Sequence, residues 1–262
     1  MDKRKAVILL TGSIDPKLYK MFSSLEREKQ YTDTLKYYLI NFPEITRIVF
    51  IENSGWPLDN IRKEVDSVHH GKLIEFISFN ISYPSGMQHA IRKSYGESAC
   101  IMEGMRDSRL LNDGSLSYII KITGRLQIRN LSKLIDFIPE PFDFACDIKD
   151  HGWILRRFLG VKNASPYCDT RIFILTRNFY NKYFKDIHGE VRKEPLALET
   201  VVYKTVKCAS SENAKIIKRF PVEPDFVGLS GSFKGNDYDS SGFRIIKIIR
   251  GALRKFIPMV HI

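Results

Sequence analysis

The residues best suited to chemistry gather in Ser117-Tyr-Ile-Ile-Lys-Ile-Thr-Gly-Arg125. The apolar run Tyr118 to Ile120 reads as a buried strand that delivers Lys121, Thr123, Gly124 and Arg125 at its C-terminal end. In open α/β sheets, ligands bind beyond the C-terminal ends of strands. Lysine offers a point charge, arginine a planar fork of donors, and glycine lets the backbone come close. Such a set suits a phosphate or diphosphate. An ordinary strand end with two solvated cations has the same composition, so the rest of the chain must separate the two readings.

Carboxylates follow later in the chain. Asp169-Thr-Arg171-Ile-Phe173 opens a strand with an aspartate two residues before an arginine, which suits an internal ion pair or contacts to sugar hydroxyls. Glu199 is the lone carboxylate in an apolar segment of helical length, Pro195 to Tyr203. A charge there is costly unless it is paired or faces a cleft. Burial raises a carboxyl pKa and fits it to take a proton from a hydroxyl. Asp169 and Glu199 are therefore the candidate general bases, with Asp169 preferred for its strand-end position.

The 262 residues carry a net charge of +11, from 41 Lys and Arg against 30 Asp and Glu. That excess suits polyanionic partners: nucleic acid, anionic lipid or phosphorylated substrates. Hydrophobic content of 44% and aromatic content of 12% suit a folded domain. Cys100, Cys146, Cys168 and Cys208 form no CxxC pair, which points to reduced, mostly buried thiols. His69-His70 beside Gly71 reads as a loop.

Strands and helices alternate through the N-terminal half. Strands are predicted at 6–10, 47–52, 72–79 and 118–122, and helices at 18–42, 58–68 and 94–111. In the first helix, Leu25, Leu35, Tyr38 and Leu39 fall partly on one face. This alternation predicts an α/β fold with a mostly parallel sheet covered on both faces. Further strands are predicted at 142–147 and 171–175, and helices at 178–184 and 197–208. The Gly-, Pro- and Ser-rich segment 221–238 reads as a loop, with 224–232 suited to a mobile flap.

The ordered set resembles bacterial GT-A-type glycosyltransferases of capsule and lipopolysaccharide O-chain synthesis. It comprises a first strand ending in Thr11-Gly12, a second ending in Glu52-Asn53-Ser54, then Tyr95-Gly96-Glu97, Lys121-x-Thr123-Gly124-Arg125, Asp169-x-Arg171-x-Phe173, Glu199 and Gly228-x-Ser230-Gly231-Ser232. The resemblance implies a GT-A-like domain over 1–240. Its first 130 residues would hold a nucleotide-sugar donor, expected to be a UDP-sugar, and residues 131–240 the acceptor. It implies Thr11 and Gly12 near the base and ribose, Glu52 and Asn53 in the same pocket, Lys121, Thr123, Gly124, Arg125 and Arg171 on the donor, and a saccharide or lipid-linked acceptor.

One departure stands out. Many GT-A enzymes place Asp-x-Asp at the end of the fourth strand to hold Mn²⁺ or Mg²⁺, where this chain has Lys121-Ile-Thr123-Gly-Arg125. Fixed cations can replace a metal in stabilising the leaving diphosphate, so metal-independent transfer is expected and no metal ligands are assigned. Asp143, Asp147, Asp169, Asp237 and Asp239 are the carboxylates that would restore a metal site.

In the C-terminal tail, 241–262, Arg244, Lys247, Arg250 and Arg254 share one helical face beside isoleucines. A basic amphipathic helix of this kind suits an anionic membrane surface, and a helix packed on the domain is the alternative. The first apolar run is too short for a signal segment, which predicts a cytoplasmic protein peripheral to the inner face of the membrane. A nucleic-acid-binding module would also use the positive charge. The chain shows no RNP-type aromatic motif, zinc-finger spacing or helix-turn-helix signal, and nucleic acid is not expected as a partner. It has neither a Gly-x-Gly-x-x-Gly nor a P-loop pattern.

Overall fold

A computed structural model describes residues 2–16, 22–68, 71–150, 165–193, 196–229, 238, 240, 242, 247–248, 250–252 and 254. The predicted histidine loop at 69–70 and the Ser230–Ser232 part of the expected flap lie outside them.

The elements run β1 (Ala6–Gly12), α1 (Ser24–Asn41), β2 (Arg47–Glu52), α2 (Asp59–Asp66), β3 (Leu73–Ser78), α3 (His89–Asp107), β4 (Tyr118–Thr123), β5 (Gln127–Ile128), α4 (Leu131–Asp136), β6 (Phe144–Ala145), β7 (Ile148–Lys149), β8 (Tyr167–Cys168) and β9 (Ile172–Thr176). After a helical turn over 177–184 come α5 (Ile187–Lys193), α6 (Leu198–Ser211), β10 (Ile216–Ile217) and β11 (Phe226–Val227). The main sheet has seven strands in the order β10-β6-β9-β4-β1-β2-β3. Strands β3, β2, β1 and β4 are parallel, whereas β9 runs antiparallel to both β4 and β6. The predicted α/β class and mostly parallel sheet stand, and the two halves expected on either side of residue 130 share this one sheet.

Both sheet faces are buried, and the strand period of two sorts the residues between them. Ile8, Leu10, Ile48, Phe50, Ile120, Ile122, Ile172 and Ile174 face the core under α1, α2 and α4. Val7, Leu9, Val49, Ile51, Ile119, Phe173 and Leu175 face the core under α3, α5 and α6. Helix α1 starts at a capping box, in which the Ser23 side chain and Glu26 exchange hydrogen bonds with each other's backbone N–H. Stepping back from Leu35 and Tyr31 by four residues reaches Arg27. The buried stripe therefore contains Arg27, Glu28, Tyr31, Leu35, Tyr38 and Leu39, and Leu25 is exposed, contrary to the sequence expectation. Helix α3 begins five residues before the predicted start, so Tyr95-Gly96-Glu97 lies inside it and does not open it.

The chain runs from β1 outward to β3, then crosses back over α3 to place β4 on the other side of β1. The topological switch point, where such sheets open a crevice, lies between the C-terminal ends of β1 and β4. Those ends are held tightly together. The Gly124 N–H donates to the Thr11 carbonyl (2.9 Å), and a Cβ on Gly124 would stand 2.8 Å from that oxygen and 3.1 Å from the Tyr31 ring. Gly124→Ala should therefore cost about 1–3 kcal/mol by overpacking, measured by urea denaturation. The control Gly114→Ala meets nothing within 4 Å and should stay near wild type.

Candidate active site at the switch point

The four residues of the expected phosphate cradle separate. Lys121 sits on β4 between Ile120 and Ile122, so the strand pleat turns it to the opposite face, toward α3. There it is fully buried and pairs with the Glu97 carboxylate, and it also donates to the Thr170 carbonyl (2.6 Å) and the Thr123 hydroxyl (3.4 Å). An ammonium removed from water needs such a partner. Lys121 is thus spent on Glu97 and is not the phosphate-binding cation expected from the sequence. Burial alone would raise the Glu97 pKa, but the charges of Lys121 and Lys93, with hydrogen bonds from Lys121 and Thr123, hold it below the ordinary value.

Arg125 goes the other way. Strand β4 ends at Thr123, and the turn at Gly124 sends Arg125 to the α1 side, where its Nη1 donates to Gln30 Oε1 (2.9 Å) and its guanidinium lies 5.9 Å from the Phe22 ring centroid. Arg27 reaches the same place from α1, donating from Nε to the Ser13 carbonyl (2.8 Å). Tyr31 completes the floor: its hydroxyl accepts from the Ser13 N–H (2.9 Å), and its ring lies against Gly12 and Gly124. Both guanidiniums are buried. Among the described residues neither is paired with a carboxylate, and the adjacent Glu28 pairs with neither. Desolvation lowers the Arg125 pKa, with Arg27 adding to the lowering and Tyr31 opposing it.

The residues expected around the base have mostly structural duties. Thr11 is buried and gives its carbonyl to Gly124; the Gly12 carbonyl accepts from Asn53 N–H (3.1 Å). Glu52 is fully buried and saturated. Its Oε1 accepts from the N–H groups of Ile14 (2.9 Å) and Ser54 (2.8 Å), and its Oε2 from Trp56 N–H (3.0 Å) and Ser78 Oγ (3.3 Å). It ties the loops after β1 and β2 together and has no lone pair to spare for a ribose, which corrects its assignment to the donor. Asn53 differs: its Oδ1 is buried without a partner, and its Nδ2 packs against Gly96, where a Cβ would stand 2.7 Å away.

Asp169 and Arg171 form the ion pair that their spacing allows, with Nε 2.9 Å and Nη2 2.5 Å from the carboxylate oxygens. The Arg171 guanidinium stacks over Phe226 (4.2 Å) and Tyr238 (5.0 Å) and keeps about a quarter of its side chain exposed. Burial would raise the Asp169 pKa, yet the charge and hydrogen bonds of Arg171 drive it far below the carboxylate range. A carboxylate so stabilised is a weaker base, and its first duty here is as the partner of Arg171. Glu199 sits half-buried in the first turn of α6 with no hydrogen bond or ion pair among the described residues. Tyr167, whose pKa is raised by burial and then by Asp169 and Glu199, stands close to both.

Beneath this rim, Asp147 is buried among cations. It faces Lys149 (3.5 Å) and accepts from Arg254 Nη1 (3.0 Å), while its carbonyl holds the Asp169 N–H (2.8 Å). Arg254 also donates from Nε to Glu223 (2.6 Å), and Lys247 donates to Asp225 (2.5 Å) and the Phe226 carbonyl (2.7 Å). Two cations of the expected membrane-facing stripe are therefore turned into the protein; Arg244 lies outside the described residues. No described helix is long and apolar enough to cross a membrane. Residues 226–227 pair with β5 and are no free flap.

A divalent ion does not fit the end of β4, where cations stand. Among the other carboxylates weighed for a metal, Asp143 accepts from Lys215 N–H (2.8 Å), and Asp147 and Asp169 are held by arginines. Asp237 and Asp239 lie outside the described residues. No cluster of three His, Cys, Asp or Glu residues converges among the described ones.

Arg27, Gln30, Tyr31 and Tyr238 were missed in the sequence, where nothing local marks them as site residues.

No protein-family model matches the chain, and no curated protein matches it. Solved structures do. Core-mannan synthase A from Aspergillus fumigatus in its Mn/GDP form is similar with a TM-score of 0.49 and 9% identity, over 97% of this chain and 86% of that one. A mannosyltransferase from S. cerevisiae in complex with GDP gives 0.49 and 6%, over 83% and 71%. The inositol-1-phosphate CTP transferase from T. maritima gives 0.46 and 13%, over 83% and 85%. At these scores the likeness decides no activity, and the architecture stands on the strand order and register above.

Removing one partner of a buried ion pair costs about 3–5 kcal/mol, so Arg254→Ala should lose about that much stability in urea denaturation. The lowered pKa values of Asp147 and Asp169 contribute stability that is full above the unfolded aspartate value of about 4 and fades as pH falls below it. Asp169→Asn should flatten that acid limb.

Proposed function

We propose that the protein is a glycosyltransferase that takes its sugar from a nucleoside-diphosphate donor bound at the β1–β4 switch point. The supporting observation is the Arg27–Arg125 pair: two buried guanidiniums, close enough to repel, with no carboxylate between them among the described residues. An isolated buried charge is strongly unfavourable, and a diphosphate supplies the missing counter-charge with geometry that guanidinium forks match. Positive charge fixed at that point also stabilises the charge that develops on the leaving diphosphate.

In this reading Glu199 accepts the proton of the acceptor hydroxyl. The freed oxygen bonds to the anomeric carbon as the bond from that carbon to the diphosphate oxygen breaks, and the nucleoside diphosphate leaves on Arg27 and Arg125. Glu199 serves better than Asp169 because no arginine holds it. Arg171, a quarter exposed beside Tyr238, is assigned in this reading to sugar hydroxyls of the donor or acceptor. A growing polysaccharide or lipid-linked oligosaccharide as acceptor rests on the sequence resemblance.

Thermal-shift measurements with UDP, GDP, CMP and dTDP, with and without Mn²⁺, test the reading. Saturation at a hundred times Kd adds about 2.7 kcal/mol, or a rise of about 5–10 °C for a chain of this size. One nucleotide should produce that shift, and Arg125→Ala or Arg27→Ala should abolish it. Stabilisation by none of the four, with salt-dependent oligonucleotide binding instead, would support the nucleic-acid alternative.

A further inference from the structure

The switch point has a second side with the opposite electrostatic character. On the α3 side, the Lys121–Glu97 pair is neutral as a whole, because the buried ammonium and the carboxylate cancel. All the donors that reach Glu97 go to Oε1: Lys121 Nζ and the Thr123 hydroxyl (3.2 Å). Its Oε2 has no partner among the described residues. That oxygen is not among the fully buried unpartnered atoms, and the Glu97 side chain keeps about 10% of its surface exposed. One residue earlier on α3, Gly96 admits the Asn53 carboxamide, whose Oδ1 is a buried acceptor with no donor. The α3 side thus holds two acceptors without donors, Glu97 Oε2 and the buried Asn53 Oδ1, beside the half-buried Thr123. A phosphate, itself rich in acceptors, finds nothing there, whereas hydroxyl groups do.

We propose that Glu97, held in place by Lys121 and Thr123 and assisted by Asn53, binds a vicinal diol of the ligand and so determines which ligands the crevice accepts. This rests on the reading of Arg27 and Arg125 as the diphosphate site, and the two halves of the crevice then divide the ligand by chemistry. Phosphates lie against the unpaired guanidiniums on the α1 side, and hydroxyls against the paired carboxylate on the α3 side. A carboxylate oxygen accepting from a hydroxyl is a charge-assisted bond, stronger than its neutral counterpart. Lys121 has the task of keeping Glu97 ionised and fixed in a site that would otherwise be desolvated. The diol belongs either to the ribose or to the transferred sugar, and the choice of probe separates the two.

Isothermal titration tests the proposal with inorganic pyrophosphate, UDP, 2′-deoxy-UDP and UDP-glucose, and with GDP, 2′-deoxy-GDP and GDP-mannose. The wild type should prefer one hydroxyl-bearing member over its stripped counterpart by about tenfold. Preference for the ribo over the 2′-deoxy form assigns the diol to ribose. Preference for the sugar-bearing over the sugarless form assigns it to the sugar. Glu97→Gln should cut that preference to about twofold or less while pyrophosphate affinity changes by no more than about twofold. Because Glu97→Gln leaves Lys121 buried without a counter-charge, the double variant Glu97→Gln/Lys121→Met is measured beside it and should show the same loss of preference. A preference that survives in either folded variant overturns the proposal, as does a fall in pyrophosphate affinity in step with the nucleotide. Failure of the wild type to bind pyrophosphate would instead overturn the diphosphate site, and this proposal with it.

Discussion

Charge matching at the C-terminal rim of the sheet governs everything built on it. Lys121 is matched by Glu97, Arg171 by Asp169, and Lys149 and Arg254 by Asp147. In a medium where an unpaired charge is heavily penalised, these pairs let a strongly basic chain place its cations inside. Against that pattern Arg27 and Arg125 are the exception among the described residues. They converge where the strand order reverses, the point at which ligands of such sheets bind. The paired cations make the frame rigid, and the unpaired ones leave work for a ligand.

Rigidity at that point is built into small residues. Gly12 and Gly124 accept the Tyr31 ring against the ends of β1 and β4, and the saturated Glu52 carboxylate fixes the loops after β1 and β2. From the far end of the chain, Lys247 and Arg254 grip the segment from Phe220 to Phe226. Phe226 in turn supports the Arg171 guanidinium, so Lys247 and Arg254 contribute to the site's rim. Of the four cations read in the sequence as one lipid-facing stripe, Lys247 and Arg254 meet carboxylates on a distant part of the chain, because periodicity gives a shared face without saying what that face meets.

Local patterns were legible. Strand β2 was read to the residue, the other parallel strands to within two, and the α/β class followed from their alternation. Asp169 and Arg171 were recognised as a possible pair, and a pair they are. What could not be read was direction. Lys121 and Arg125 lie four apart and look like one cradle, but the strand stops between them, and the turn at Gly124 sends them to opposite faces of the sheet. Arg27 was invisible as a site residue because nothing local distinguishes it from a surface arginine on an amphipathic helix. Its burial depends on the phase set by the capping box and on contacts with the loop after β1. Asp169 and Glu199 likewise differ in a partner, since the arginine beside Asp169 holds it and none holds Glu199 among the described residues.

A crystal structure of the wild-type protein with a nucleoside diphosphate shows which cations hold the phosphates. Phosphate oxygens are expected within hydrogen-bond distance of both the Arg27 and Arg125 guanidiniums, above the Tyr31 ring, with Lys121 still paired to Glu97. Phosphates seated on Lys121, or anywhere that leaves Arg27 and Arg125 without an anion, would contradict this expectation.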